Sequence, residues 1–181
     1  RGFLHFGNGI MRRVMIVGGP GSGKSTLARA LGERTGLAVH HMDHIHWMPG
    51  WQQRPREARR IMATEIENSD HWIFEGGFST TFEHRASRAD TLIWLDLPAG
   101  LRIWRVTKRL VRHWGRGRPD MAPGCIEGLH GETFAFYIYI WRTRQSHRAR
   151  LQTLIDTHPH LSVHHLRSLR AVDQYLNEVA R

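Results

Sequence analysis

The sequence of 181 residues contains one cysteine, Cys125, and only two lysines, Lys24 and Lys108. A single cysteine excludes an internal disulfide framework and a zinc ribbon built from several cysteines. No apolar run reaches the length of a membrane span, and no charged leader followed by an apolar segment is visible. We therefore expect a cytoplasmic protein in which arginine supplies most of the positive charge.

The charge balance is strongly basic, with 26 Lys and Arg residues against 16 Asp and Glu residues and a formal net charge of +10. Arginine forks suit phosphate groups, so this excess indicates anionic ligands. Nucleic acid is a competing partner, although no helix-turn-helix, zinc finger or aromatic-rich strand is visible. The length predicts one domain over 11–181, with residues 1–10 before Met11 as an upstream extension.

The most informative stretch is 13–31, RVMIVGGPGSGKSTLARAL. In it, Gly18, Gly23, Lys24 and Ser25 match the phosphate-binding pattern G-x-x-x-x-G-K-[ST]. A hydrophobic strand precedes the pattern and a helix follows it, which is the context that this loop requires. The stretch therefore predicts binding of a nucleoside triphosphate, with ATP as the expected cofactor.

The residue types in this loop explain how it holds phosphate. Glycines allow consecutive backbone N–H groups to converge on phosphate oxygens at a helix N-terminus. Lys24 should reach the β- and γ-phosphates, and the Ser25 hydroxyl should bind Mg²⁺. The residues expected to bind the nucleotide here are Gly19, Gly21, Ser22, Gly23, Lys24, Ser25 and Thr26.

Two carboxylates follow predicted strands. Asp43 lies just past a strand over 37–40, where parallel sheets place residues that contact ligands, so we expect it to orient or deprotonate an acceptor. Glu75 ends a strand over 71–75 and is expected to act in catalysis, by holding Mg²⁺ through water together with Ser25 or by accepting a proton, or else to be a turn residue. A metal site is an alternative for the histidines around Asp43, which are His40, His41, His44 and His46.

A predicted helix over 98–113 separates arginines from apolar residues. Its basic side either faces phosphate or is simply solvated. The basic side holds Arg102, Arg105, Arg109 and Arg112. The opposite side, expected in the core, holds Ile103, Val106, Leu110 and Trp114.

The stretch 115–128, rich in Gly, Pro and Arg, is too long for a simple connection and is predicted to be a lid. Arg116 and Arg118 are expected to close over bound phosphates, whereas Cys125 is interpreted as structural. Earlier in the chain, Trp47 and Trp51 either wall a flat ligand or pack in the core.

A second long helix is predicted over 132–157, followed by a fifth strand over 161–166 and a closing helix over 169–179. Arg144 and Arg148 share one stripe of the long helix with apolar residues. Unpaired buried arginine is costly, so these two either meet carboxylates or face a polar cleft in catalysis. The apolar residues of the stripe are Tyr137, Trp141, Leu151 and Ile155.

The order of strand, phosphate-binding loop, helix and four further strand and helix units with a lid resembles the nucleoside-monophosphate-kinase group of P-loop kinases. The resemblance implies an α/β fold, a three-layer α/β/α domain with a five-stranded parallel sheet in the order 2-3-1-4-5. More narrowly, MDHIHWMPGW, WIFEGGF, ADTLIWLDLP and RPDMAPGCIEG are similar to the adenylate-kinase-related family of topology modulation proteins. This similarity extends from Met11 to the C-terminus.

The resemblance also implies roles for individual residues. Glu75 takes the Walker B position, Arg105 and Arg109 contact nucleotide phosphates, and Arg116 and Arg118 belong to the lid. Adenylate kinases usually carry Asp-Gly-Phe-Pro-Arg after the third strand, whereas this chain has EGGFS and lacks that arginine.

The predicted function is a Mg²⁺-dependent ATP phosphotransferase acting on a small acceptor of the nucleotide or nucleoside type. The alternatives are a nucleic-acid-binding regulatory NTPase involved in DNA topology and a nucleotide-sensing switch. The sequence leaves open the acceptor, the oligomeric state and the relative roles of Asp43 and Glu75.

Overall fold

The computed structural model describes residues 5–6, 9–77, 80–117, 121–129, 131 and 133–179. Its centre is one sheet of five parallel strands. The strands are β1 Arg13–Gly18, β2 Val39–His41, β3 Trp72–Glu75, β4 Thr91–Leu95 and β5 Ser162–Leu166.

The strands lie side by side in the order β2-β3-β1-β4-β5. The predicted order 2-3-1-4-5 is therefore confirmed. In the part of the chain that the structure describes, four further strands of two residues each form two separate antiparallel pairs that were not predicted from the sequence. These pairs are His5–Phe6 with Gly9–Ile10 and Trp47–Met48 with Gln52–Gln53.

Eight α-helices and one 3₁₀ turn connect the strands within the described residues. The closing helix predicted over 169–179 has the predicted bounds. The helices are α1 Lys24–Thr35, α2 Met42–His46, α3 Arg56–Glu67, α4 Phe82–Arg88, α5 Ala99–Arg112, α6 Thr133–Arg142, α7 Arg144–Thr157 and α8 Leu169–Val179, and the 3₁₀ turn is Pro49–Trp51.

The sheet is covered on both faces, which explains why every residue of β3 and β4 is buried. Alternate strand residues such as Met15 and Phe74 pack with α3, α4 and α7 on one face. Their neighbours Ile16 and Ile73 pack with α1 and α8 on the other face. The molecule is thus the predicted three-layer α/β/α domain.

The predicted single helix over 132–157 is wrong, because the chain breaks at Thr143 into α6 and α7. The Thr143 hydroxyl donates a hydrogen bond to the carbonyl of Tyr139 at 2.7 Å, and such bonds from threonine back to the preceding turn bend helices. A helical wheel drawn for one continuous helix therefore assigns the residues on one side of the break to the wrong face.

Two tryptophans expected in the core are exposed instead. Trp141 is 52% exposed and Trp114 is 54% exposed. Trp141 lies before the helix break, and Trp114 lies beyond the end of α5, where it pairs with Glu127 as an isolated bridge. Leu151, Val106 and Leu110 are buried as predicted.

Among the described residues, no helix combines the length and apolarity that crossing a bilayer requires.

Candidate active site

The phosphate-binding loop joins β1 to α1. Gly23, the residue before α1, has a φ of 97°, and no side chain caps the helix. The first N–H groups of a helix have no hydrogen-bond partner inside the helix, so they can donate to an anion bound in the loop. Lys24 extends back across the loop, with its Nζ donating to the Gly19 carbonyl at 3.3 Å.

Two arginines of α5 lie directly against this loop. A Cβ added at Gly19 would lie 1.6 Å from Nη1 of Arg102, and one added at Gly23 would lie 2.9 Å from Nη2 of Arg105. Only residues without a side chain allow this approach. Burial is the main cause that lowers the pKa of Arg102; the charge of Arg148 lowers it further, while that of Asp96 raises it. Sequence analysis placed Arg102 on the basic side of α5 but missed its contact with the loop.

Two buried polar atoms at the loop lack a hydrogen-bond partner. They are Oγ of Ser22, whose residue is 2% exposed, and Nε of Arg102, whose residue is 7% exposed. A buried donor without a partner is costly, and a ligand acceptor bound in the loop would remove this cost for each of these atoms. Phosphate oxygens satisfy both, and the loop therefore fits the triphosphate of ATP.

Glu75 lies beside the loop at the end of β3 and is 2% exposed. Its Oε1 accepts a hydrogen bond from the Ser25 hydroxyl at 3.0 Å and lies 2.8 Å from Nδ1 of His41. Burial alone raises the pKa of Glu75, but the hydrogen bond from His41 and the charge of Lys24 bring the net pKa below its ordinary value. A carboxylate next to a hydroxyl is a donor set that fits Mg²⁺.

The contact between His41 and Glu75 was missed by sequence analysis. His41 ends β2 and pairs in register with Glu75 on β3. Because both strands are parallel neighbours, their carboxyl ends meet at one edge of the sheet. The position of His41 at the end of a strand could have predicted this contact, because the last residue of β2 pairs with the last residue of β3.

Arg85 anchors the segment that follows Glu75. Its side chain is fully buried; Nε donates to Oε1 of Glu67 at 2.9 Å and Nη1 donates to the Gly76 carbonyl at 3.0 Å. Nη2 reaches the Thr81 hydroxyl at 3.2 Å. The pKa of Arg85 is lowered mainly by burial, which the charge of Glu67 offsets in part. This network could not be predicted from the sequence, because its members are spread over 67–85.

Asp43 lies in the first turn of α2, two residues after the strand end at His41. This places it at the same sheet edge as Glu75, and its contact with an acceptor stays a prediction. The rings of His41 and His44 lie 5.4 Å apart, whereas His46 contacts Arg59. In the described part of the chain, no group of three or more His, Cys, Asp or Glu side chains is arranged to hold a metal ion.

Arg144 and Arg148 line a small cleft of about 20 Å³ together with Gly19 and Arg102. Arg148 also meets a carboxylate, since its Nε donates to Oδ1 of Asp96 at 2.8 Å. The two alternatives from the sequence, pairing and a polar cleft, therefore both apply to Arg148. A catalytic role for either arginine stays a prediction.

The described part of 115–128, the stretch predicted to be a lid, packs against the hairpin of 47–53. Met121, Ala122 and Cys125 form a small apolar cluster with Trp47 and Trp51. Nε1 of Trp51 donates to the Ile126 carbonyl at 2.8 Å. The two tryptophans thus make packing contacts, and Cys125 is buried in them.

The cations predicted for the lid and its approach are described only in part. Arg109 is half-buried on α5, and Arg116 is exposed where its carbonyl accepts a hydrogen bond from the N–H of Glu127 at 2.9 Å. Arg118 lies outside the described residues. Contact between these arginines and nucleotide phosphates stays a prediction.

The sheet order, the glycine-rich loop and the adjacent carboxylate define a P-loop NTPase with the fold of P-loop kinases. A family described as an AAA domain matches residues 14–113, more than half of the chain. The chain belongs to this family.

A curated relative is the uncharacterized protein YqaC of Bacillus subtilis strain 168, which is 24% identical over 106 residues. The match covers 58% of this chain, and the chain spans 60% of the length of that relative. The narrower resemblance to topology modulation proteins stays a prediction.

Solved structures with the same fold include two shikimate kinases and a gluconokinase. The Acinetobacter baumannii shikimate kinase, in complex with shikimate, has a TM-score of 0.57 at 15% identity, covering 93% of this chain and 90% of that one. The Bacteroides thetaiotaomicron enzyme also has a TM-score of 0.57 at 15% identity, with coverage of 93% and 96%. The Sinorhizobium meliloti gluconokinase has a TM-score of 0.51 at 13% identity, with coverage of 93% and 89%. At these identities the likeness is one of fold.

Proposed function

We propose that this chain is a Mg²⁺-dependent ATP phosphotransferase that acts on a small acceptor of the nucleotide or nucleoside type. The observation that carries the proposal is the contact of 3.0 Å between Ser25 Oγ and Glu75 Oε1 beside the P-loop. The guanidinium groups of Arg102 and Arg105 lie against the same loop. The shikimate kinases and gluconokinase that share the fold are named for small acceptors, which supports an acceptor of this size.

The loop residues bind and orient the triphosphate. The backbone from Gly19 to Thr26 surrounds the phosphates, and Lys24 neutralises charge on the β- and γ-phosphates. Bound Mg²⁺ supplies a Lewis acid that draws charge from the transferring group. Ser25 and Glu75 would hold the ion, and His41 orients the Glu75 carboxylate through its contact of 2.8 Å.

The transfer step joins the acceptor hydroxyl oxygen to the γ-phosphorus while the bond from that phosphorus to the bridging oxygen breaks. ADP leaves with that oxygen, and the hydroxyl proton passes to Asp43. Positioning and charge neutralisation supply most of the catalysis in such reactions. The cations assigned to neutralise the transferring phosphoryl group are Arg105, Arg109, Arg116, Arg118, Arg144 and Arg148.

Calorimetric titration of Mg·ATP into the folded protein tests the first part of the proposal. The wild type should bind, and Lys24→Ala should bind about 10-fold or more weakly, because a charged hydrogen bond contributes about 1.5–3 kcal/mol. Lys108→Ala is the matched control, since it removes the only other lysine of the chain, and it should bind within twofold of wild type. No heat of binding with folded wild type would contradict the proposal.

ADP release tests the second part. Wild-type protein is incubated with Mg·ATP and a panel of nucleosides, nucleotides and sugar acids, and the release of ADP is compared with the rate without acceptor. An acceptor should raise the rate by at least about 10-fold over that background, and Lys24→Ala should abolish the increase. Tight ATP binding with no stimulation by any acceptor would favour the nucleotide-sensing switch.

A further inference from the structure

Helix α6 is apolar on all its sides, yet most of it is exposed. Its sequence is TFAFYIYIWR; all ten residues are described, and only Ile140 among them is buried. A helix that is hydrophobic all round is normally buried. Large apolar patches on a protein surface mark sites of interaction with a protein or a membrane. An apolar helix left open in this way therefore indicates a surface that a partner covers.

Helix α5 lies beside α6 and adds to the exposed apolar area. The two helices touch where the Thr107 hydroxyl donates a hydrogen bond to the Tyr137 hydroxyl at 3.1 Å. Residues spaced by three, four or seven positions share one side of a helix, so each helix presents an exposed stripe. The apolar face is defined by the exposed side chains of these two stripes, which are Trp104 and Val111 on α5 and Phe134, Ile138 and Trp141 on α6.

Tyr139 of α6 is not part of the apolar face, because it lines a cavity of about 170 Å³ beside the P-loop. Gly18 and Phe82 line the same cavity from the side of the sheet. Helix α6 thus uses different sides for the cavity and for the apolar face. A partner that covers the apolar face leaves the cavity to a ligand.

Basic residues border the apolar face, and neither α5 nor α6 contains an Asp or Glu residue. Lys108 and Arg112 are exposed on α5, and Arg142 is exposed at the end of α6. Arg144 begins the next helix, and its guanidinium carbon lies 4.4 Å from the centre of the Trp141 ring. The apolar face therefore has a positive border and fits an anionic partner.

A second copy of this chain fits the apolar face poorly. In a twofold interface the same surface lies on both partners, so the cations of one copy would lie along the same interface as those of the other. The formal net charge of +10 on each copy adds to this repulsion.

Single-stranded nucleic acid also fits the apolar face poorly. Such strands bind by stacking their bases on aromatic rings. Here a cation already lies over each tryptophan ring, since Nζ of Lys108 is 5.1 Å from the centre of the Trp104 ring and Arg144 lies over Trp141. Val111 and Ile138, which share the face, are aliphatic and offer no ring for stacking.

We propose that the apolar face binds the surface of an anionic lipid bilayer. The apolar side chains enter the region between the headgroups and the acyl chains, and the bordering cations pair with lipid phosphates. Tryptophan beside lysine or arginine is typical of helices that lie in the membrane interface. Apolar burial and charge attraction both contribute, so strong binding requires both. This inference goes beyond the phosphotransferase proposal and does not depend on it.

Sedimentation with lipid vesicles tests the charge requirement. Wild-type protein is mixed with vesicles of phosphatidylcholine alone and with vesicles that also contain phosphatidylglycerol. Binding should be about 10-fold or more stronger when the anionic lipid is present, and it should weaken as the salt concentration rises. Absence of binding, or equal binding to the two kinds of vesicle, would overturn the inference.

A first pair of variants tests the apolar side chains. The double variant Phe134→Ser with Trp141→Ser should weaken vesicle binding about 10-fold or more, because two large apolar groups no longer enter the membrane. Ile61→Ser is the matched control, since Ile61 is exposed on α3, and it should bind as wild type does. Equal binding by the double variant and wild type would overturn the inference.

A second pair of variants tests the cations. Lys108→Gln with Arg112→Gln should weaken binding to the anionic vesicles about 10-fold. Arg167→Gln with Arg170→Gln removes two exposed charges near the end of the chain and is the matched control, which should bind within twofold of wild type. Equal losses in the two double variants would show that net charge alone attracts the protein, and the assigned face would be wrong.

Two further measurements distinguish the other partners. A wild-type dimer in analytical ultracentrifugation that becomes a monomer in the Phe134→Ser and Trp141→Ser variant would overturn the inference in favour of a second copy. Tight binding of single-stranded DNA that the Lys108→Gln and Arg112→Gln variant loses, with no binding to vesicles, would overturn it in favour of nucleic acid. A wild-type monomer that binds anionic vesicles through both sets of side chains supports it.

Discussion

The P-loop has one side that is expected to hold the nucleotide and another that is expected to hold the acceptor. These two sides, called here the nucleotide side and the acceptor side, are built differently. On the nucleotide side, Ser22, Glu75 and Arg102 are all buried, and each lies in or against the loop. On the acceptor side, the α6 helix exposes 74% of Phe134 and 52% of Trp141, and an open cavity replaces close contact. The nucleotide side is closely packed, whereas the acceptor side leaves apolar surface and space beside it.

This difference follows from how each side is assembled. The anion site uses one continuous stretch, 18–26, and the ends of neighbouring strands, so the sheet itself places its parts. The acceptor side uses segments far apart in the chain, among them Gly77, Phe82 and the pair α6 and α7. Ordering such segments costs conformational entropy that a ligand contact offsets. We therefore expect the nucleotide side to be rigid and the acceptor side to adjust on binding.

The largest effect is expected from Glu67→Ala, which removes the carboxylate partner of Arg85, the cation that anchors the segment after Glu75. Arg85 would remain fully buried without its carboxylate, and breaking a buried ion pair in this way costs about 3–5 kcal/mol. Chemical denaturation should show this loss in the free energy of unfolding.

The exposed pair Glu57 and Arg60 on the same helix provides the control, with Nη2 of Arg60 2.6 Å from Oε1 of Glu57. Glu57→Ala should change stability by only about 0–1 kcal/mol, because exposed pairs are weak. Similar losses in the free energy of unfolding of the two variants would show that burial does not make the Glu67 pair contribute more to stability than the exposed pair.

A smaller effect is expected from Gly19→Ala, which tests the rigidity of the nucleotide side. The new Cβ would displace the Arg102 guanidinium, whose Nη1 would otherwise lie 1.6 Å away. Losing that cation at the loop should weaken Mg·ATP binding about 10-fold by calorimetry. The fold should survive, because the displaced group is the end of a flexible side chain.

Gly100→Ala is the matched control, since a Cβ there meets nothing within 4 Å. It lies in the first turn of α5, the helix that carries Arg102, and should leave the affinity for ATP within twofold of wild type. If Gly19→Ala also binds ATP normally, the close approach of Arg102 has no role in binding.

The nucleotide side could be predicted from the sequence because its signals are local. Gly18, Lys24 and Ser25 stand at fixed spacing, and a parallel sheet brings the end of β3 beside the loop, so Glu75 followed from the strand prediction alone. Helix α1 likewise ends at Gly36, whose φ of 72° few other residues adopt readily.

The acceptor side could not be predicted because its contacts are between distant residues. Nothing in the sequence near Arg85 indicates a partner at Glu67, 18 positions earlier. The helix breaks at Thr143, whose hydroxyl bonds back to the Tyr139 carbonyl, and a helical wheel drawn from the sequence cannot register such a break. As a result, Tyr139 and His147 meet across two helices that the sequence joined into one.

A still smaller effect is expected from Trp51→Phe, which weakens the contact between the predicted lid, 115–128, and the hairpin of 47–53. The change removes the hydrogen bond from Nε1 to the Ile126 carbonyl, worth about 1 kcal/mol, and should favour opening about fivefold. Cys125 is buried in the same cluster and is the only thiol of the chain, so its rate of reaction with Ellman's reagent reports opening.

Trp104→Phe is the control for this labelling experiment, since Trp104 is 57% exposed on α5 and belongs to no part of the cluster. Its labelling rate should equal that of wild type. Fast labelling of wild-type Cys125, at the rate of a free thiol, would show that the lid does not rest on the hairpin.

The smallest effect on stability is expected from Arg148→Gln, at the border between the two sides. Arg148 is half-exposed, and its partner Asp96 keeps a second contact, since one carboxylate oxygen lies 3.2 Å from Nε2 of His165. Loss of the pair should therefore cost about 0–1 kcal/mol. Because Arg148 also lines the cleft beside Gly19, a fall in kcat with this small stability change supports contact with the transferring phosphoryl group. An unchanged kcat would show that Arg148 has a structural role alone. The catalytic cations would then be the arginines that lie against the P-loop.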